Sequence, residues 1–421
     1  MNDRKSVGLM TPSKIVIVGA GQAATQAAIS LRAGGYSGAI TMIGEEAALP
    51  YQRPPLSKAY LSGTMSLERV TLKPRESWAE DDVDVITSTV VTAIDRTGKS
   101  VATGDGRIFP YDDLILATGS RVRKLPCEGA TLSRVHYLRT VADVDGLRGA
   151  MVVDNKLVVI GGGYIGLEVA AVARKAGLEV TILEAADRVL ARVAPPAISS
   201  FFEGLHRDAG VSIITGAKVT RIVGDTHVTG VALGDGTVID ADVVLVGIGI
   251  IPNAELAREA GIIAPDGIET DKDARTSDPD VFAIGDCASR PLVHYGDRRA
   301  RLESVHNALE QGKLAAAAIL GLPRPTEETP WFWSDQYDIK LQIAGISAGA
   351  TQTVLRGDPT TKRFAAFHLD AQNRLLGVDA INAPPEFIVA KQVIARHGAL
   401  APETLADMSI SMKEIGARSI A

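Results

Sequence analysis

The sequence predicts an α/β chain: two copies of one strand–turn–helix–strand unit, then a small α+β domain at the C-terminal end. Three observations predict it. Lys14–Val18 (KIVIV) and Lys156–Ile160 (KLVVI) are continuous β-branched runs, as expected of strands buried on both faces of a parallel sheet. Each runs into a glycine turn, an alanine-rich helical pattern and a second short strand, which is a βαβ unit. Past Pro323-Arg324-Pro325 the pattern changes to short strands and one late helix.

In the first unit the helix is expected from Gln22 to Arg32 and the next strand over Ile40–Ile43. In the second unit the helix is expected over Tyr164–Ala176 and the strand over Val180–Leu183. Laid over each other, the units put Arg32 on Arg174 and Gly35 on Gly177. Short strands follow the first unit at Val83–Thr87, Val90–Ile94, Ser100–Thr103 and Arg107–Phe109, with Gly104-Asp105-Gly106 as a hairpin signal. The layout recurs after the second unit at Ser212–Ile214, Val219–Val223 and Val228–Leu233, with Gly234-Asp235-Gly236 as the turn. Leu114–Ala117, Val243–Ile248 and Val281–Ile284 read as further buried strands, and Ser304–Leu320 as a helix. The tail is expected to hold strands at Lys340–Ala344, Thr351–Leu355, Arg363–Leu369 and Arg374–Ile381, then a helix at Pro385–His397.

At roughly 150 residues per domain, 421 residues make two or three domains. The 44 basic and 50 acidic residues leave a formal net charge of −6, which argues against a dedicated nucleic-acid binder. Two cysteines, Cys127 and Cys287, are too few for a disulfide framework or an all-cysteine metal site, and no metal is expected. They fit a reducing cytosol. The stretch MNDRKSVGLMTPSK carries no apolar signal region, and runs such as Val243–Ile251 fall far short of the ~20 residues a membrane span needs. A cytoplasmic protein without membrane attachment is the expectation.

Chemistry is concentrated in the turns. Gly19-Ala20-Gly21-Gln22-Ala23-Ala24 fits G-x-G-x-x-A. The first glycine permits the tight turn, the second admits a pyrophosphate, and the small third residue lets helix and strand pack closely. The helix N-terminus then offers free N–H groups and a positive dipole end. Glu45, just past the second strand, can take a ribose diol. Gly161-Gly162-Gly163-Tyr164-Ile165-Gly166 fits the full G-x-G-x-x-G, and Glu184 ends its second strand. A carboxylate there accepts from a ribose 2′-hydroxyl and repels a 2′-phosphate, so NADH is expected over NADPH. Arg188, the one basic residue nearby that could argue otherwise, reads as a solvated surface cation. Two Rossmann-like units suggest a flavin and a nicotinamide. Asp286, after the buried strand Val281–Ile284, can accept the ribityl hydroxyls of a flavin at the carboxyl edge of the sheet.

The segments LPYQRPPLSK (49–58), LILATGS (114–120), VVIGGGYIGLE (158–168), TSDPDVFAIGDC (276–287), ESVHNALEQ (303–311) and PWFWSDQY (330–337) resemble the FAD-dependent NADH:ferredoxin reductases of the putidaredoxin reductase and rhodocoxin reductase type. The resemblance spans about residues 13 to 415 and implies a glutathione-reductase-type fold. The domains are then an FAD-binding domain of residues 1–120 and 250–329, an NAD-binding domain of 121–249 and a C-terminal domain of 330–421. It carries flavin contacts onto Ala23, Glu45, Lys58, Val91, Arg139, Asp286 and Val305, beside the turn residues Gly19, Gly21, Ala24, Thr118 and Gly119. Coenzyme contacts fall on Gly161, Gly163, Tyr164, Ile165, Gly166 and Glu184. Lys58 is implied to lie beside flavin N5 and to pair with Glu168. Val305 opens a helix whose dipole favours negative charge on the flavin. Trp331, Phe332 and Trp333 are expected either to wall the flavin or to be plain core.

No C-x-x-C or C-x4-C is present, so electrons are expected to leave the flavin without a dithiol relay. The implied function is transfer from NADH through FAD to a small acidic [2Fe–2S] ferredoxin serving a P450 or ring-hydroxylating oxygenase. The enzyme is expected to be a monomer or weak dimer. A basic docking rim is expected among Arg69, Lys73, Arg298, Arg299, Lys313, Lys340 and Lys391. Two alternatives stay open here: an NADH-dependent flavoprotein acting on a quinone or dioxygen, and a redox-gated signalling flavoprotein of the apoptosis-inducing-factor type.

Overall fold

The computed structural model describes residues 13–419; residues 1–12 of the stretch read above for a signal lie outside them. The contacts divide the chain into two compact units. One holds the described residues up to Gln52, Thr71–Ser120 and Pro252–Glu328; the other holds Arg53–Val70, Arg121–Ile251 and the residues from Thr329 on.

The first unit is built on a five-stranded parallel sheet in the order Val281–Ala283, Asp113–Leu116, Lys14–Val18, Ala39–Ile43, Val83–Ile86. Alternate residues of its central strand face opposite cores. Ile15 and Ile17 pack with Ala24, Ala27 and Leu31 of the helix Gln22–Ala33, and Val16 and Val18 pack with Val101, Leu114 and Ile268. That two-sided burial is why the strand is apolar throughout. The helix Val305–Leu320 lies against Gln22–Ala33; a Cβ at Gly312 would come 2.9 Å from Ala27 N, so only glycine fits this crossing.

The second unit repeats the sheet: Ser212–Ile214, Glu179–Leu183, Lys156–Ile160, Val243–Val246, Val135–Tyr137, all parallel. Each parallel sheet is accompanied by an antiparallel three-stranded meander, Val91–Ile108 onward in the first and Val219–Asp240 in the second. The aligned arginines do the same work in both. Arg32 donates to Tyr36 O and Gly38 O, and Arg174 to Leu178 O and Ala209 O, pinning the chain as it leaves the helix for the next strand. The tail is a five-stranded antiparallel sheet in the order Trp331–Gln336, Ile339–Gly345, Leu375–Ile381, Arg363–Leu369, Gln352–Asp358, covered by Pro384–Ala395 and two shorter helices.

Two differences from expectation have local causes. The segment 53–70 falls with the second unit. Its Tyr60 hydroxyl donates to Asp145 at 2.9 Å, and Arg148 donates to Tyr60 O, so it docks on the helix Val141–Ala150. Trp331–Gln336 is a strand paired antiparallel with Ile339–Gly345, although Ser334, Asp335 and Gln336 interrupt its apolar run. No helix among the described residues is long and apolar enough to cross a membrane.

Candidate functional site

In the first unit Gly19 has φ 113°, and a Cβ there would meet Ala117 O at 2.1 Å. The turn therefore closes against the neighbouring strand's end only with glycine. Gly21 caps the helix with extended backbone, no side-chain hydrogen bond and no acidic residue in the first turn. A Cβ on Gly21 would meet nothing within 4 Å. Uncapped N–H groups facing open space are the cradle a pyrophosphate fills. Ala23 and Ala24 are buried behind it.

Around this turn the structure gathers the other expected residues of the first unit. Glu45 is exposed on the loop after Ala39–Ile43. Thr89 N donates to Gly44 O and Ser88 N to Glu46 O, so the segment entering Val91 runs alongside Glu45. Thr118 and Asn253 exchange hydrogen bonds of 2.6 and 2.9 Å, which fix the Thr118-Gly119 turn. Asp286 accepts from Ser120 Oγ at 2.8 Å, and Gly285 N donates to Gln311 Oε1 at 2.6 Å. Gln311 thereby ties the Gly285–Asp286 turn to the helix that Val305 opens. Ser304 caps that helix by accepting from Asn307 N. The sequence assigns no role to Ser120, Asn253 or Gln311, because a serine or amide carries no signal until its partner is in place.

The second unit holds the same cradle. Gly161 has φ 109°, and a Cβ on Gly166 would meet Gly161 O at 2.2 Å, so helix and turn touch. Gly163 caps the helix Tyr164–Lys175 without a side-chain bond, and a Cβ on it would meet nothing within 4 Å. Ile165 is 42% exposed at the helix start. The Tyr164 ring lies 5.0 Å from that of Phe332. Its buried hydroxyl has no hydrogen-bond partner among the described residues. Burial pushes this phenol well above its usual range, with Asp379 and Glu168 adding to the shift. Glu184 accepts from Gly162 N at 2.6 Å and Ala186 N at 2.8 Å, so its carboxylate is fixed beside the turn. Arg188 is no solvated cation. It donates to Ala191 O, Ala194 O and Ser199 Oγ, and stitches the loop after Glu184.

Lys58 and Glu168 come together in this unit. Pro54–Ser57 forms one turn of 3₁₀ helix on which Lys58 follows, and Lys58 Nζ lies 2.7 Å from Glu168 Oε2. The Glu168 side chain is 1% exposed and that of Lys58 19%. Ser57 Oγ donates to Glu168 Oε2 at 2.5 Å and Ser334 Oγ to Oε1 at 2.6 Å. A buried carboxylate is tolerated only when paired and hydrogen-bonded, and removing its cation costs about 3–5 kcal/mol. Arg139 stands in the same unit: Arg53 donates to Arg139 O at 2.5 Å, and Arg139 N to Asp143 at 3.0 Å.

Both cysteines are free thiols. Cys287 is buried in the core of the first unit; Cys127 packs against the core of the second. Burial raises both thiol pKa values, the reverse of what a reactive thiolate needs. Of the expected docking rim, Lys73 is paired with Asp81, and Arg299 donates to Thr270 O and Ser289 O. No cluster of metal-ligating side chains occurs among the described residues.

Residues 13–312 match the pyridine nucleotide-disulphide oxidoreductase family, and residues 331–416 match the reductase C-terminal family. The chain belongs to the pyridine nucleotide-disulphide oxidoreductase family. It is 45% identical to the probable ferredoxin reductase CtmF of Castellaniella defragrans, over 95% of this chain and 98% of that one. It is 44% identical to putidaredoxin reductase CamA of Pseudomonas putida, over 95% of this chain and 96% of the other. The crystal structure of the covalent putidaredoxin reductase–putidaredoxin complex superposes with a TM-score of 0.94 at 44% identity, covering 96% of this chain and 98% of that chain. Its two thiols form no disulphide.

Proposed function

We propose that this oxidoreductase carries electrons from NADH through FAD to a small acidic [2Fe–2S] ferredoxin that serves a P450 or ring-hydroxylating oxygenase. The single observation that carries the reading is the coexistence of two open glycine cradles with two thiols that form no disulphide and whose pKa values burial raises. Two dinucleotides can be held, and no dithiol stands ready to take electrons from them. Relatives named probable ferredoxin reductase and putidaredoxin reductase, 45% and 44% identical over 95% of this chain, support the acceptor class.

When bound, FAD supplies the conversion between hydride chemistry with NADH and single-electron delivery to an iron–sulfur cluster. The chain's own residues do the rest. Gly19, Gly21, Ala23 and Ala24 form the turn for the FAD pyrophosphate, with Glu45 for the adenosine ribose and Val91 beside it. Thr118, Gly119 and Asp286 serve the flavin end, where the Asp286 carboxylate accepts hydrogen bonds from the ribityl hydroxyls. The helix at Val305 presents backbone N–H groups and a positive dipole end. Gly161, Gly163, Tyr164, Ile165 and Gly166 receive NADH, and Glu184 orients its ribose. Lys58, anchored by Glu168, is a fixed cation for the flavin, and Arg139 is a further contact. The FAD-binding domain is taken as 1–120 with 250–329, the NAD-binding domain as 121–249 and the C-terminal domain as 330–421. A cytoplasmic location is part of the reading.

The test is a comparison of acceptors under one NADH concentration. The FAD-loaded enzyme should show kcat/KM for an oxygenase-type [2Fe–2S] ferredoxin at least ~100-fold above that for a quinone or dioxygen, about 2.7 kcal/mol of discrimination. Equal or faster turnover with the quinone overturns the ferredoxin reading.

A further inference from the structure

The Lys58–Glu168 pair does not end at Glu168. Ser334, which donates to Glu168 Oε1, itself accepts from Gln336 Nε2 at 3.2 Å. Gln336 Oε1 lies 2.9 Å from His206 Nε2, and His206 Nδ1 lies 3.3 Å from the Tyr337 hydroxyl. His206, Ser334 and Gln336 are each at most 1% exposed. One proton assignment satisfies every link. A carboxylate only accepts, so Ser334 donates to Glu168. The serine oxygen then accepts from the amide NH₂, the amide oxygen accepts from His206 Nε2–H, and the bare Nδ1 accepts from Tyr337. Every bond in the row points toward Glu168.

The Tyr337 end is held independently. Gln336 pairs with Ile339 across a two-residue hairpin loop, Tyr337–Asp338, and Tyr337 has φ 55°. Glycine, asparagine and aspartate are the usual residues at such positions, and a bulky aromatic persists there only when its surroundings over-determine it. The Tyr337 ring lies edge-on to the His206 imidazole at 5.1 Å and beneath the Lys175 ammonium at 5.6 Å. Burial lowers the His206 pKa, with the Gln336 acceptor opposing, which keeps the ring neutral at pH 7.

We infer that His206 is a positioning residue for the Lys58–Glu168 pair, acting through Gln336 and Ser334 to fix the carboxylate and with it the Lys58 ammonium. The inference rests on the reading that Lys58 acts on the bound flavin. The row is not a proton path, because Gln336 would have to pass a proton from its oxygen to its nitrogen through an imidic acid. It transmits orientation and polarisation instead. Neither the family match nor the turn motifs assign any role to His206, Gln336 or Ser334.

Two readouts test it on the holoenzyme. In [¹⁵N]histidine-labelled protein, the His206 signal, identified by its loss in His206→Gln, should report the Nε2–H tautomer at pH 7. Gln336→Leu should abolish that preference. In stopped flow with saturating NADH, Gln336→Glu puts an acceptor where the donor was and turns Ser334 away from Glu168. It and His206→Leu should lower the limiting rate of flavin reduction about tenfold, with NADH affinity within about twofold. His206→Gln, which keeps a donor, should recover to within about threefold. An Nδ1–H tautomer overturns the inference, as do unchanged rates in Gln336→Glu and His206→Leu when Lys58→Met is slow. Unchanged reduction in Lys58→Met as well overturns the reading of Lys58 and this inference with it.

Discussion

The two Rossmann-like sheets are near copies that differ in what their helices carry. The helix after Gly21 opens with Gln22 and small alanines, and the acidic residue beyond its partner strand, Glu45, is exposed. The helix after Gly163 opens with Tyr164 and the exposed Ile165 and bears the buried Glu168 one turn on; its acidic residue, Glu184, is locked by two backbone N–H groups. Backbone geometry is shared to the detail of Gly19 at φ 113° and Gly161 at φ 109°. A shared turn therefore sets what class of molecule is held, and side chains on the helix set whether it is merely held or also presented to a charged pair. On the proposed reading the first cradle keeps FAD and the second selects and positions NADH.

The sharpest way to break this division is the same substitution in both turns. Gly21→Val and Gly163→Val have ordinary φ angles of −105° and −79° and no protein atom in the way, so both should fold. Gly21→Val should be purified largely without FAD. Gly163→Val should retain FAD and raise KM for NADH at least tenfold, about 1.4 kcal/mol. FAD content by absorbance and steady-state KM are the measurements; loss of FAD from both variants would erase the distinction between the cradles.

Coenzyme choice sharpens it further. On the proposed reading, in which Glu184 serves the coenzyme ribose, the wild-type enzyme should prefer NADH clearly, and Arg188 is spent on Ala191, Ala194 and Ser199. Glu184→Ala with Ala185→Arg should narrow the ratio of kcat/KM values for NADH and NADPH about tenfold. Equal efficiency in the unmodified enzyme would contradict the role of Glu184.

The smallest expected effect concerns pH. His206 and His136 are buried, and burial lowers both pKa values from the ordinary 6.5, against Gln336 in one case and Asp143 in the other. Well above pH 6.5 both rings are neutral folded and unfolded, so they add no pH dependence there. Below it the unfolded chain binds protons that the folded rings resist, so their contribution to stability is lost as pH falls. Tm should drop between pH 6.5 and 5, and His206→Gln should flatten the slope. A Tm independent of pH over that window would contradict the buried neutral rings.

Legibility followed periodicity. The strands Lys14–Val18 and Lys156–Ile160, both helix starts and the Arg32–Arg174 correspondence could be read because a doubly buried strand and a glycine turn leave local marks. Helix Pro196–Asp208 was not seen, although proline at its first position is a start signal; helix Val141–Ala150 was hidden by Gly146 and Gly149 despite its Thr140–Asp143 capping box. Of the site, Lys58 and Glu168 came from family resemblance, with 111 residues separating Ser57 from the carboxylate it bonds. Ser334, Gln336 and His206 stayed silent because their meaning lies in partners brought together by the tail's hairpin, which no short pattern encodes.

The central claim is that electrons leave FAD directly, with no thiol between it and the acceptor. It is tested most directly by counting electrons in an anaerobic NADH titration of the wild-type enzyme and of Cys127→Ser with Cys287→Ser. Both should take up about two electrons per FAD, and both should then reduce about two equivalents of [2Fe–2S] ferredoxin. A wild-type enzyme that takes up about four, beside a double variant that takes up two and no longer reduces ferredoxin, would contradict the direct route.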